Sequence, residues 1–383
     1  MEKAVTPLPQ AQLMVEEAAS PVGQMSQWQL MRLRFARNKL AMTGLIGLIV
    51  MYILVFLGPF LAPNEYMTND DNYSYGGPSH ITFLDKNGRF SLQPYLIPMT
   101  TKLNKETLKF EMVLDRSKLV PIRFFAKGDP YTLFGFIKTD IHLFGVDKPH
   151  RIYLIGADKV GRDMFARLLV GGQISMTIGL LGVALSILFG SIMGTVSGYY
   201  MGLIDDVMQR IIEVLMSFPT VPLWAALAAA LPPISSSFTP LHRYFLITVV
   251  LSLIGWTGLA RQLRAKVMAY RSADFVQAAL ACGADDREVI FIHMLPNAAS
   301  HIIVTAALSI PGMILGETAL SFLGLGIVPP MVSWGALMRD AQQVTVILQH
   351  PWLMLPGVAV IIAVLFFSFL GDGIRDAMDP YSI

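Results

Sequence analysis

Seven stretches of this chain contain no Asp, Glu, Lys or Arg: residues 40–64, 168–204, 214–242, 244–260, 289–316, 318–338 and 341–371. A helix crossing a bilayer core of ~30 Å needs ~20 mostly apolar residues. A charge at its centre costs roughly 2.5–3.5 kcal/mol on insertion scales. Such runs therefore point to membrane-spanning helices. Gly324, Gly326, Pro329 and Pro330 mark one run as re-entrant or interfacial. Six spans remain, over about 40–62, 171–198, 208–231, 244–261, 299–323 and 352–371.

Charge is distributed unevenly around these spans. Residues 64–160 hold 13 Lys/Arg and 11 Asp/Glu, about a quarter of the segment and a soluble norm. The remainder of the 383 residues is about 11% charged. A water-exposed module is thus set between the first two spans. Within it 109–115 alternates polar and apolar, 120–125 follows after a short turn, and Asp85-Lys86-Asn87-Gly88 reads as a hairpin turn. A small β-rich domain is expected there. His80, His142 and His150 share no metal-ligand spacing and read as lone surface histidines.

An inside N-terminus places 1–39, 200–210, 261–298 and 372–383 on one face, where they carry twelve Lys/Arg against Arg243 and Arg339 in the opposite short loops. The positive-inside rule makes that face cytoplasmic and the insert extracytoplasmic. Thirty-nine residues precede the first apolar run, which is too long for a signal h-region and reads as a retained anchor, with 1–28 as a flexible tail. The net charge of +2 does not suggest nucleic acid, and one cysteine, Cys282, excludes a disulfide framework or multi-cysteine metal site. Cys282 reads as a small inert packing residue.

Gly190, Gly194 and Gly198 lie four apart on one face of the second span. Such spacing lets another helix backbone approach closely, within this chain or from a second membrane subunit. Glu317, inside the fifth span, is a candidate gate or pathway residue, because an intramembrane acid is costly. An interhelical hydrogen bond is its simpler reading, and Arg210 with Glu213 reads as a helix-face ion pair.

The loop 262–298 is long for a connection between spans and reads as helical. Asp274 opens a run of helix formers through Ala281 as an N-cap residue, Gly283 ends it, and Asp285 with Glu288 has capping-box spacing. Leu295-Pro296 leads into the next span.

Gln277-Ala278-Ala279, three residues, Gly283, nine residues, His293, Met294, Leu295-Pro296 resembles the coupling-loop signature of ABC importer permeases. Gln277 stands where that signature has Glu, and His293 where it has Ile. Gly156-Ala157-Asp158-Lys159-Val160-Gly161-Arg162-Asp163, the run Glu317 to Gly326, Ser333-Trp334-Gly335, and Leu370 to Pro380 are similar to the dipeptide/oligopeptide branch of that family. The resemblance covers about 31–63 and 151–380.

That resemblance implies an all-α polytopic membrane protein of the type I importer fold, with a permease core over 168–371. It also implies a homologous second permease, two cytoplasmic ATPase subunits and an extracytoplasmic solute-binding protein. The coupling-loop residues would be Gln277, Ala278, Ala279, Gly283, Asp285, Leu295 and Pro296. No catalytic, metal or cofactor residue is expected in this chain; ATP and Mg²⁺ would bind the ATPase subunits. Gly156 and Gly161 have Walker A spacing, but Arg162-Asp163 follow where Lys-Ser/Thr is required. The cargo expected is oligopeptide or dipeptide, with oligosaccharides or other small solutes as the alternative. An ion-driven secondary transporter is the rival from another class, although no convincing internal repeat is visible. An intramembrane protease would need a nucleophile–base or His-Glu-x-x-His arrangement that no span contains.

Overall fold

The computed structural model describes residues 26–85, 88–104 and 109–379. Most of the N-terminal tail, the central turn residues Lys86 and Asn87, and Pro380 lie outside the described residues. The chain is helical where the charge-free runs are. Helix α1, Gln27–Arg37, begins within the stretch expected as tail; Ser26 and Gln29 close a capping box at its start. Asn38 ends α1, and its side chain accepts from Leu40 and Ala41 N–H to start α2, Lys39–Phe56. A short α3, Gly58–Leu61, follows.

Among the described residues the insert has seven antiparallel strands: β1 His80–Leu84, β2 Phe90–Ile97, β3 Met99–Asn104, β4 Lys109–Leu114, β5 Val120–Pro121, β6 Arg123–Leu133 and β7 Ile137–Gly145. They make three small sheets, β1-β2-β5, β3-β4 and β6-β7. Asp85 N–H donates to Arg89 O across the β1–β2 turn. Leu96, Ile122 and Ile152 form the small apolar centre.

Helix α4, Met164–Tyr200, is the longest element. The third span departs from expectation. In place of one helix over 208–231, α5, Gly202–Ser217, and α6, Thr220–Ala229, meet at an 89° bend. Pro219 is the cause: it has no N–H to continue the helix and holds Phe218 in an extended conformation. Helix α7, Pro240–Tyr270, crosses next, followed by α8, Asp274–Ala281, and α9, Asp286–Glu288, which runs on through Val289–Met294 and Leu295–Asn297. Helices α10, Ala299–Phe322, and α13, Leu355–Met378, complete the spans, with short α11, Trp334–Met338, and α12, Val344–Gln349, between them. Among the described residues five helices are long and apolar enough to cross a membrane, or six with the bent pair counted as one. The stretch after Gly324 supplies no further span.

Side-chain size decides how the helices meet. A Cβ on Gly190, Gly194 or Gly198 would stand 2.8, 2.5 or 2.6 Å from the carbonyl oxygens of Trp256, Ala260 or Arg264. The glycine face of α4 therefore lies directly on the α7 backbone, within this chain. Toward the same face Gly373 of α13 admits Ala41 of α2, and Arg34 donates to Asp379 O at 2.6 Å.

Candidate functional site

The loop after α7 folds into a compact knob because each local signal has its partner. Helix α8 ends in a complete Schellman motif: Gly283 N–H donates to Leu280 O at 3.0 Å and Ala284 N–H to Ala279 O at 3.1 Å. Gly283 adopts φ +89° with open space around it, so backbone conformation and not crowding requires glycine. Asp285 accepts from Glu288 N–H at 2.7 Å, and Glu288 Oε2 accepts from Asp285 N–H at 3.3 Å. The start of α8 differs from the sequence reading. Ala273 is its N-cap and has no side chain to bond, so Asp274 lies one position inside the helix.

The knob is held to the span ends by an apolar cluster of Val276, Val289, Ile290 and Met294 against Tyr199 of α4 and Val267 of α7. Tyr199 Oη also donates to Asp286 at 2.7 Å. Gln277 Nε2 donates to Arg271 O at 2.9 Å, at the carboxyl end of α7. A glutamate there would have no donor for that carbonyl and would set negative charge against the negative end of the helix. The departure from the motif thus has a local use. Ala278, Gly283, Asp285 and Pro296 are exposed, while Ala279 and Leu295 are half-buried. Cys282 is exposed and so is not the packing residue expected from sequence; it caps a helix on the outer side of the turn.

On the opposite side, the motif segments 156–163, 317–326 and 333–335 converge around the start of α4. Asp158 is buried and accepts from the N–H groups of Val160 and Arg162 at 3.0 and 2.9 Å, from Arg162 Nε at 2.8 Å, and from Arg167 Nη1. Asp163 caps α4 and accepts from Asn64 Nδ2 at 2.9 Å. Burial lifts the Asp163 carboxyl to about 6, against the Asn64, Phe165 and Ala166 donors that work to lower it. Asp158 side-chain bonds thus fill the glycine-rich turn that has Walker A spacing.

Glu317 has no exposed surface. It accepts from Ser175 Oγ of α4 at 2.9 Å and from Ser321 Oγ at 2.6 Å. Ser321 in turn accepts from Ile327 N–H, and Ser175 from Trp334 N–H. One carboxyl therefore joins α4, α10 and the 323–334 turn. Arg210 and Glu213 pair at 2.9 Å on an exposed helix face.

Sequence reasoning missed two arrangements. Asp205, in the first turn of α5, accepts from Arg264 Nε and Nη2 at 2.5 Å each and from Ser197 Oγ at 2.5 Å, clamping α4, α5 and α7 just above the knob. A signal is present in the sequence: Asp205 ends a charge-free run, and Arg264 stands among the first charges after another. His142 is not a surface histidine but is buried, with ring nitrogens on Ala62 O at 2.6 Å and Asp129 O at 2.9 Å. Strand alternation turns it inward against the end of α3. Among the described residues no group of three or more His, Cys, Asp and Glu could hold a metal.

Residues 186–381 match the family model of the binding-protein-dependent transport system inner membrane component, and 26–78 that of the N-terminal TM domain of oligopeptide transport permease C. The oligopeptide transport system permease protein OppC of Haemophilus influenzae is 31% identical over 373 residues, covering 96% of this chain and 94% of that protein. A putative peptide permease protein of Brucella ovis is 34% identical over 79% of this chain and 97% of its own length. OppC of Bacillus subtilis is 34% identical over 62% and 75%. Among solved structures, an inward-facing MetNI methionine ABC transporter matches 56% of this chain and 98% of its own, with a TM-score of 0.44 and 16% identity.

Proposed function

The chain belongs to the family of binding-protein-dependent transport system inner membrane components, and we propose that it forms half of the translocation pathway of an ATP-driven importer of oligopeptides or dipeptides. It is a permease subunit of an ABC importer, a multi-pass inner-membrane protein and a transport component. A homologous second permease would supply the other half. The groove between α4, α5 and α7, about 490 Å³ and almost wholly apolar, supports such a pairing. Two ATPase subunits would bind ATP and Mg²⁺ below it, and a solute-binding protein would deliver cargo above.

The knob carries this reading. It is rigid by its Schellman turn and capping box, exposed on Ala278, Gly283 and Asp285, and packed on the ends of α4 and α7. A force on such a body moves two spans at once, which is what alternating access requires. The twelve Lys/Arg on its face support a reading in which the knob and both termini would lie in the cytoplasm. Gln277 would hold the knob to α7, and Glu317 would keep the opposite mouth in shape as the halves move.

Co-purification with the ATPase subunits and ATP-dependent uptake in vesicles test the assignment. Gly283→Val forces a β-branched residue to φ +89°. Both readouts should fall about ten-fold or more, in keeping with an αL cost of ~1–3 kcal/mol; unchanged assembly and transport would remove the knob from the coupling path. Uptake driven by an ion gradient without ATP would favour the secondary-transporter class. The insert would widen the docking surface for the binding protein. Deleting about 68–148 should then weaken uptake at limiting binding protein, and full activity would reject that role.

A further inference from the structure

We propose that the base of the β6–β7 hairpin lies on the bilayer surface on the insert's side, with Phe124 and Phe125 at headgroup level and Lys127 and Arg151 on the phosphates of anionic phospholipid. The inference rests on the chain spanning a membrane and is independent of its cargo and partner subunits.

The level of the hairpin follows from the first span. Helix α2 has 18 residues, which at about 1.5 Å each nearly crosses a bilayer core. The chain therefore reaches the membrane boundary near α3. The hairpin is fastened there: His142 of β7 bonds Ala62 O at 2.6 Å, and the Phe125 ring lies 6.4 Å from that of Phe60. These contacts set this end of the hairpin at the level where the span ends.

Two features of the hairpin base suit a lipid boundary. Phe124 and Phe125 are 65% and 67% exposed although adjacent in a strand, where alternation should send one of them inward. Phe125 has φ +52°, a left-handed conformation that is strained for an aromatic residue, while the pairing on either side keeps its register. The strain presents both rings outward, and aromatic rings concentrate at membrane interfaces. Beside them lies a pit between the end of the first span, at Pro63 and Asn64, and the cations Lys127, Lys148 and Arg151, with Asp129 as its one carboxylate. Lys148 pairs with Asp129 at 2.9 Å, and Arg123 with Asp147 at 3.1 Å. Lys127 and Arg151 have no ion-pair partner among the described residues. Burial works to raise the Asp129 carboxyl, but Lys148 beside it and Arg151 beyond hold it below the usual carboxylate range, so the pit keeps net positive charge. Cations near an anionic surface add to binding.

The test uses the full chain in a Cys282→Ser background, reconstituted into phosphatidylcholine vesicles with and without phosphatidylglycerol. Environment-sensitive dye is attached at Phe124→Cys or Phe125→Cys, and quenching by lipid carrying a nitroxide at the headgroup is read. Quenching of about two-fold or more is expected at both positions, exceeding that from a nitroxide deep in the acyl chain. Phosphatidylglycerol should strengthen it, and Lys127→Gln with Arg151→Gln should remove that increment. Phe125→Trp with headgroup-brominated lipid repeats the reading if the cysteine variants fail to assemble. No headgroup quenching overturns the proposal. So does dye shielding that arises only when the solute-binding protein is added, which would assign the patch to a protein partner.

Discussion

The α4–α7 seam and the junction between insert and core hold the molecule in opposite ways. Along the glycine face of the seam the contact is bare backbone: three glycines bring one helix onto the carbonyls of another, and the charged Asp205–Arg264 tie lies only at its knob end. Lipid is as apolar as any side chain, so burial of apolar surface gives no drive there, and close contact must supply it. At the junction, by contrast, Asp158 and Asp163 collect N–H groups and two guanidinium groups around the start of α4. Where backbone leaves the helix at a membrane surface, its polar groups need named partners. The seam excludes atoms; the junction satisfies them.

The two modes can be broken separately. The largest effect is expected at the junction. Asp158→Ala would leave Arg167 buried without its charge partner and orphan two backbone N–H groups, at a cost of about 3–5 kcal/mol. Yield and melting temperature in detergent should drop sharply, whereas a shift of a degree or two would show that the cage is dispensable. Gly194→Val in the seam should cost about 3 kcal/mol or less, since a Cβ already stands 2.5 Å from Ala260 O and the helices must separate. The same replacement at Gly258, which has open space, is the control. Equal melting of the two variants would contradict the seam.

The smallest effect sharpens the junction through pH. Asp163 titrates at about 6 in the folded chain, above the ordinary carboxyl value of about 3.9. The folded state then binds the proton more tightly, so this group's contribution is fully present below about pH 4 and is lost as pH rises through about 6. Comparing wild type with Asp163→Asn from pH 4 to 7 should isolate a fall of about 2 kcal/mol in the wild type alone. A wild-type curve that rises over that window relative to the variant would mean that its N-cap bonds outweigh its burial.

Legibility followed the range of the interaction. The knob could be read closely because its signals are local: Gly283 three residues beyond Leu280, Glu288 three beyond Asp285. The bend at Pro219 is equally local, but absence of charge marks a run as apolar without showing that its helix is continuous. Glu317 stands out as a lone acid with an interhelical hydrogen bond as its simpler reading, yet of its two hydroxyl partners only Ser321 is local; Ser175 lies far away in the chain, so which elements the carboxyl joins is not legible. The residues ending the charge-free runs were treated as boundaries. In the fold they are ties: Arg167 to Asp158, Asp205 to Arg264, and Arg243 to the carbonyls of Leu325 and Gly326.

Sequence alone determined that this chain crosses a membrane several times, that a charge-normal β module interrupts it after the first span, and that a glycine-turned knob precedes the fifth. Each of these depends on solvent transfer or on bonds within a few residues, and both are written in composition and spacing. Tertiary structure alone decided that the glycine seam closes within the chain, that His142 is interior, that Asp205 clamps three helices, and that Phe124 and Phe125 both face outward. Those outcomes depend on which distant backbone arrives at a given face. A single sequence carries no direct record of that arrival, because packing is settled jointly by every element that competes for the same space.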